Sequence, residues 1–332
     1  MAPVQPGDGR RPRGRRPSVA PTGNASRRPR VTVVGSYGVG LVFSVDIAPG
    51  SGETVHGRSF RIDHGGKGSN QAVGAARLGA DVRFLTALGE DDFAPRALRL
   101  WDEEGIAALA VRPPGSATMA GAIIVEASGE NRIIVVAGAL GVLSAEDVRR
   151  EASVLDGADV LLVQLEIPLL VAAEGLALAR ARGLTTILNP APAPDEPLPP
   201  AVLASVDYLT PNLHEARRLL GRSDGEAGDV VIALARATGR TVIMTVGAQG
   251  ALIARGDQLV AVPAQVAPVV VDSTGAGDAF NAGFAFGLAS GLELEEAVAL
   301  GCRCGAWCVG RPGVIPGLPR LADVAPATGP VI

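Results

Sequence analysis

Lysine is almost missing from this chain of 332 residues: of its 30 basic side chains 29 are arginine, and Lys67 is the exception. Aromatic residues are scarce as well, at 3%, and there are three histidines and three cysteines. His56, His64 and His214 are too scattered to make a metal cluster. Cys302, Cys304 and Cys308 are an odd number with no fourth ligand nearby. That excludes a common zinc pattern and a disulfide framework, and leaves buried free thiols in a reducing compartment. No run of 18 apolar residues occurs, which excludes a membrane-spanning helix. What the chain does hold is 47% apolar residues against 19% charged, enough for a large core and too apolar for a wholly disordered chain. A GC-rich coding sequence accounts for the arginine excess. It does not account for where the one lysine survives, inside a glycine-rich run.

The net charge of −4 divides into +7 over residues 1–30, with eight arginines and one acid, and −11 over the rest. An acidic body argues against a nucleic-acid partner. Residues 1–29 are rich in arginine, proline and glycine without apolar periodicity, and are expected to form a disordered tail. Arg27-Arg28 ahead of residues 31–45 has the look of a twin-arginine export signal. Against it, Gly35, Gly38 and Gly40 interrupt the stretch, no small-residue cleavage site follows, and the segment reads better as a first strand. The expectation is a cytoplasmic protein without membrane contact.

Short β-rich runs at 31–34, 82–87, 160–164, 185–189, 208–210 and 241–246 alternate with helical patterns at 71–78, 94–104, 170–182, 215–220 and 230–237. This alternation predicts an α/β fold with a parallel sheet covered on both faces. Residues 52–63 and 118–136 break the rhythm with successive strands, a small β-layer beside the main sheet. Residues 190–200 hold six prolines and are expected to be loop. Glu90-Asp91-Asp92 reads as a helix cap in preference to a metal site.

Three glycine motifs carry the chemistry. Gly35, Gly38 and Gly40 follow a strand but have the wrong spacing, and no following helix, for a dinucleotide turn. The run GGKGSN at 65–70 is not a phosphate-binding P-loop, because Lys67 is followed by glycine. It offers backbone amides, a cation and an amide side chain at a helix start, with Ser69 or Asn70 as cap and Gly79 as stop. Those groups suit a hydroxyl-rich ligand; an ordinary glycine turn is the plainer reading. The third motif, DSTGAGDAFNAGF at 272–284, follows a β-rich run at 269–271 and opens a helix near Asp278. Backbone amides of Gly275, Ala276 and Gly277 at a helix start make an anion cradle. Asp278 there is either a helix cap or a base placed to take a hydroxyl proton during phosphoryl transfer.

These motifs stand in a fixed order with QLE at 164–166, NPAP at 189–192, TPNLHE at 210–215 and TVGAQG at 245–250 between them. Together, over about residues 31–319, they resemble the ribokinase-like (PfkB-type) carbohydrate kinases. The resemblance implies a three-layer α/β/α domain over residues 30–325, with a mostly parallel central sheet and a small β-lid from segments near 41–64 and 115–136. It implies an ATP-dependent kinase acting on a hydroxyl of a small sugar or polyol. Asp278 would be the general base, and the amides of Gly275, Ala276 and Gly277 the anion hole. Gly66, Lys67, Asn70 and Glu166 would surround the sugar. Asn212 and Glu215 would lie by the ATP phosphates and Mg²⁺. Thr245, Gly247 and Gly250 would line the nucleotide site, closed by the segment near Cys302. A K⁺ site would use Asp272 and Thr274 with Cys308, Arg311 and Gly313. Pairing of two lids would make a homodimer.

One departure stands out. The members this chain most resembles usually carry an Asn and an Asp two apart, just after the first strand, to hold sugar hydroxyls; here those positions are Gly38 and Gly40. Asp46 or His64 would have to compensate, or the acceptor is not ribose. A nucleoside kinase of the same fold and a catalytically idle sugar sensor are the alternatives, and the GAGD and N-x-x-E elements favour an enzyme.

Overall fold

The computed structural model describes residues 27–265, 267 and 269–325. Residues 1–26 of the expected tail lie outside them. Among the described residues there are thirteen strands: β1 (Arg30–Val34), β2 (Gly38–Ser44), β3 (Ser59–Gly65), β4 (Asp81–Ala87), β5 (Ala107–Val111), β6 (Met119–Val125), β7 (Asn131–Val136), β8 (Val160–Gln164), β9 (Thr185–Asn189), β10 (Tyr208–Leu209), β11 (Thr241–Thr245), β12 (Ala251–Arg255) and β13 (Gln258–Val262). Nine of them make one sheet in the order β13-β12-β11-β10-β9-β8-β1-β4-β5, parallel from β11 to β5 and antiparallel at β12 and β13.

The central strands are apolar on both faces because both are covered. Val31 and Val33 of β1 enter one core and Val34 the other, while in β8 Val160 and Leu162 alternate with Leu161 and Val163 in the same way. Helices Lys67–Arg77, Ala94–Glu103, Ala276–Ala289 and Leu294–Cys308 cover the first face, and Leu169–Ala181 and Ala227–Thr238 the second. This is the three-layer α/β/α arrangement that the alternating pattern predicts. No helix among the described residues is long and apolar enough to cross a membrane.

The remaining four strands form a separate sheet in the order β3-β2-β6-β7. It begins at Gly38, inside the first glycine motif, where the sequence pattern places a turn. Asp91 joins this sheet to the body: its carboxylate accepts from the amides of Phe93 and Ala94 at a helix start and from the Thr118 amide at 2.6 Å. It is a cap, as its sequence context indicates.

Two differences have physical reasons. The valines at 269–271 form no strand despite their β-propensity; the Val271 and Asp272 amides bond instead to the Val309 carbonyl past the end of helix Leu294–Cys308. In the proline-rich segment, Pro200 starts the short helix Pro200–Leu203, the position where its missing N–H costs nothing. Cys302, Cys304 and Cys308 are all buried, and burial pushes the Cys304 thiol up to about 12, so these are packing residues.

Candidate active site

Strand order reverses beside β1, with β4 on one side and β8 on the other, and this opens a crevice at the carboxyl ends of the strands. Ser36, just past β1, donates its hydroxyl to Glu166 Oε2 at 2.6 Å, just past β8. Asn189 ends β9, Thr210 follows β10 and Thr245 ends β11. Helices Lys67–Arg77 and Ala276–Ala289 both start at this edge, and a cavity of about 170 Å³ lies between them and the strand ends. Its wall includes Lys67, Asn212, Glu215, Gly275, Gly277 and Asp278. A larger depression of about 500 Å³ between Arg180, Asp207 and Arg255 is at the opposite edge, beside the amino ends of the strands. It holds no paired carboxylate and lysine, so the crevice is the candidate site.

Asp278 is the third residue of its helix and is 7% exposed. Asn70 Nδ2 donates to its Oδ2 and Gln71 Nε2 to its Oδ1, both at 2.9 Å. Close packing one turn deeper makes this reach possible: a Cβ on Gly74 would stand 2.6 Å from that of Ala282. Gln71 is fixed in turn, accepting from Gln164 Nε2 at 2.5 Å and donating to Asn189 Oδ1 at 3.1 Å. Each carboxylate oxygen therefore keeps acceptor capacity for a substrate group while its direction is set by amides.

The charges in the crevice are coupled. Burial raises the Asp278 pKa, and the opposing pull of Lys67, Gln71 and Asn70 does not bring it back to the usual carboxylate range. Burial raises Glu215 likewise, against the Asn212 amide and Lys67. Burial works to discharge Lys67, but the carboxylates of Asp278, Glu166 and Glu215 outweigh it and lift its pKa above that of an ordinary lysine. The single lysine of the chain thus sits among three carboxylates. Glu166 is tied to the same helix start, accepting from the Lys67 amide at 2.8 Å. Gly66 caps that helix with φ 89°, and a Cβ there would strike the Tyr37 backbone at 2.6 Å. Asn70 Oδ1 is buried and has no partner among the described residues.

At the other helix start, Gly275 is the N-cap with φ 82°, followed by Ala276 and Gly277. Nothing lies within 4 Å of a Cβ built on Gly277, so the amide end faces open cavity. Such an end, with aligned backbone dipoles, attracts anions.

Asn212 and Glu215 form a capping box: Glu215 N donates to Asn212 Oδ1 and Asn212 N to Glu215 Oε2, both at 2.8 Å. The box leaves Glu215 Oε1 for other use, and Thr245 is bridged to Asn212. Gly247 and Gly250 lie outside the cavity wall. Gly250 is glycine because a Cβ would stand 2.2 Å from the Val262 carbonyl oxygen, and Gly247 sits in an exposed turn with φ 61°. In the loop before Gly275, Asp272 accepts from Thr274 N at 2.9 Å and from Gly313 N at 3.1 Å. Burial opposes its charge, but these bonds hold its carboxyl below the usual range. The Cys308 thiol donates to the Thr274 carbonyl at 3.7 Å. The Arg311 guanidinium stacks on Trp307, 3.4 Å from the ring centroid, and contributes no side chain to the cavity.

Four polar residues at the site stand in or directly beside the quoted motifs without a role read for them there. Gln71, Asn189, Thr210 and Asn281 form a buried chain, with Thr210 Oγ1 donating to Asn281 Oδ1 at 2.6 Å and Asn281 Nδ2 to the Gly277 carbonyl at 2.9 Å. Asn189 opens NPAP, Thr210 opens TPNLHE, Asn281 lies in DSTGAGDAFNAGF and Gln71 follows GGKGSN; being buried and polar, each needs a partner that only the fold supplies.

The model of the pfkB family carbohydrate kinases matches residues 28–321. The chain belongs to this family. As a PfkB carbohydrate kinase it is an ATP-dependent sugar kinase. It is 36% identical to the ribokinase of Bacillus subtilis, over 89% of this chain and 97% of that one. It is 33% identical to the deoxyribokinase of Salmonella typhi, over 88% and 96%. Among solved structures, Arabidopsis thaliana ribokinase complexed with ribose and ATP superposes with a TM-score of 0.81 at 28% identity, covering 90% of this chain and 98% of that one. The ribokinase-like fold inferred from the motifs is the fold observed.

Proposed function

We propose that this kinase transfers the γ-phosphoryl group of ATP to a hydroxyl of a ribose-like pentose or another small carbohydrate, with Asp278 as general base. The observation that carries the reading is Asp278 itself: a buried carboxylate, aimed by two amides, beside a lysine and at the mouth of an anion-attracting helix end. The relatives named above act on ribose and deoxyribose by their names, which supports a pentose.

The sugar sits against Gly66, Lys67, Asn70 and Glu166, and a sugar hydroxyl donates to the unpartnered Asn70 Oδ1. As the sugar oxygen bonds to phosphorus, Asp278 takes the hydroxyl proton, and the bond between phosphorus and the ADP oxygen breaks. The amides of Gly275, Ala276 and Gly277 stabilise the charge on the moving group. The phosphates extend toward Asn212, Glu215 and Thr245, with Gly247 and Gly250 framing the nucleotide beyond the cavity. Glu215 Oε1 is an oxygen donor of the kind Mg²⁺ takes, so Glu215 would hold the ion. When bound, Mg²⁺ draws off phosphate charge. The carboxylate of Asp272 and the carbonyls of Thr274, Cys308, Arg311 and Gly313 are all oxygen donors, from two segments that meet through the Gly313–Asp272 and Cys308–Thr274 bonds, which fits K⁺ rather than a softer metal. The exposed apolar strand β7, with Ile133, Ile134, Val135 and Val136 each more than half exposed, is where two lids pair into a homodimer. The site contains no feature that requires export, and a cytoplasmic location follows from its dependence on ATP.

The test is ADP release with Mg²⁺ and K⁺ across a panel of sugars, polyols and nucleosides. Turnover with a pentose is the expected result. Tight sugar binding without turnover on any acceptor would turn the reading to an idle sensor, and turnover on nucleosides alone would move the acceptor class.

A further inference from the structure

The strip of lid that lacks polar side chains has a carboxylate beside it. β2 and β3 pair antiparallel with Gly38 opposite Gly65 and Gly40 opposite Asp63. Register partners project to the same face of a sheet, and a Cβ on Gly40 would stand 4.0 Å from that of Asp63. The opposite face of these strands carries Val39, Leu41 and Ile62, which pack on the core. Gly40 and Asp63 are therefore on the face turned away from the core, and Asp63 is 42% exposed. β3 ends at Gly65, one residue before the Gly66 cap of the Lys67 helix, and the short helix Val314–Gly317 that packs on β3 sets Val314 against Gly275. The strip therefore lies beside the starts of both site helices.

The middle of the strip offers only apolar contact. A Cβ on Gly38 would strike Met119 Cε at 2.5 Å, and one on Gly40 would meet Ile123 Cδ1 at 3.3 Å. Neither residue expected to compensate does so. Asp46 lies past the end of β2, 78% exposed, and pairs with Arg58. His64 is on the core-side face, where its Nδ1 is 2.9 Å from the Tyr37 hydroxyl.

We propose that Asp63, supported by Arg61, binds a vicinal pair of hydroxyls on the sugar and sets acceptor specificity, replacing the polar residues missing from β2. The proposal rests on the kinase reading above. Asp63 Oδ2 accepts from Arg61 Nε at 2.7 Å, which fixes the carboxylate and leaves Oδ1 for substrate. A carboxylate accepting from two adjacent hydroxyls while a guanidinium donates to a third oxygen is ordinary sugar recognition. Moving the carboxylate from β2 to β3 displaces its Cβ by 4.0 Å, so the diol it takes lies farther toward the open edge of the lid.

The experiment compares wild type and Asp63→Asn on the best sugar of the panel and its monodeoxy analogues, with thermal unfolding as a control. The variant is expected to raise the sugar KM about 10–100-fold, with ATP KM, kcat and unfolding temperature nearly unchanged. It is also expected to lose most of the wild-type preference for the sugar over the deoxy analogue lacking one of the bound hydroxyls. The double variant Gly40→Asp/Asp63→Asn, which returns a carboxylate to β2, should recover part of the affinity. Wild-type turnover with an unchanged sugar KM in Asp63→Asn would overturn the assignment of Asp63 alone. Absence of wild-type turnover on every sugar would instead overturn the kinase reading.

Discussion

Asp278 and Lys67 are 211 positions apart in the chain and line the same cavity. The burial that raises the Asp278 pKa means its base form is lost on acidification earlier than an ordinary aspartate's would be. The acid limb of kcat/KM is therefore expected above the usual carboxylate range. Lys67 is the largest influence holding that pKa down, so Lys67→Met should move the limb to still higher pH as well as slowing turnover; a limb that stays in place would separate the two groups. Asp278→Asn is expected to lower kcat by about 10²–10⁴ with the fold retained, as checked by circular dichroism. Both residues were legible in the sequence because they sit in local glycine motifs whose geometry follows from short-range rules. Gln71 follows GGKGSN and Asn189 opens NPAP, yet neither could be given a role, since the bond between them joins positions more than a hundred residues apart.

At the scale of elements, the glycines of one motif divide by what surrounds them. Gly275 has φ 82° and Val314 Cγ1 2.6 Å from its missing Cβ, so Gly275→Ala should cost about 1–3 kcal/mol of stability. Gly277 faces empty cavity. Gly277→Ala should leave the protein as stable or about 0.5–1 kcal/mol more so, by helix propensity, yet reduce turnover because the methyl enters the phosphate space. Thermal melts and initial rates on the two variants check the contrast. Asp91 makes a prediction of a different kind. Burial opposes its charge, but hydrogen bonds from Thr118, Ala94 and Phe93 win and hold its pKa below the usual range. A depressed carboxyl stabilises the fold above its unfolded pKa, near about 4, and that contribution is lost as pH falls through the folded value. Asp91→Ala should cost about 1–3 kcal/mol at neutral pH. Its difference from wild type in urea melts should shrink in acid. The N-x-x-E element shows why a motif reading and a structural reading coexist: Asn212 and Glu215 complete a capping box and still leave one carboxylate oxygen facing the cavity.

For the whole molecule, alternation of apolar runs gave the layered sheet because burial on both faces leaves a strong pattern in β1, β8 and β9. The antiparallel edge at β12 and β13 carried no such pattern, since β13 is mostly exposed. The valines at 269–271 misled for the converse reason, a strong local propensity with no sheet edge to join. Strand β7 of the lid exposes four consecutive large apolar side chains, and the protein is expected to sediment as a dimer. Ile134→Lys should shift it to monomer in analytical ultracentrifugation; a wild-type monomer would contradict pairing through β7. The central claim, that Asp278 moves a proton during phosphoryl transfer to a sugar, is tested most directly by ADP release from wild type and Asp278→Asn on D-ribose with Mg²⁺ and K⁺. The account predicts turnover in the wild type and its near-complete loss in a folded variant. Equal rates in the two proteins would contradict it.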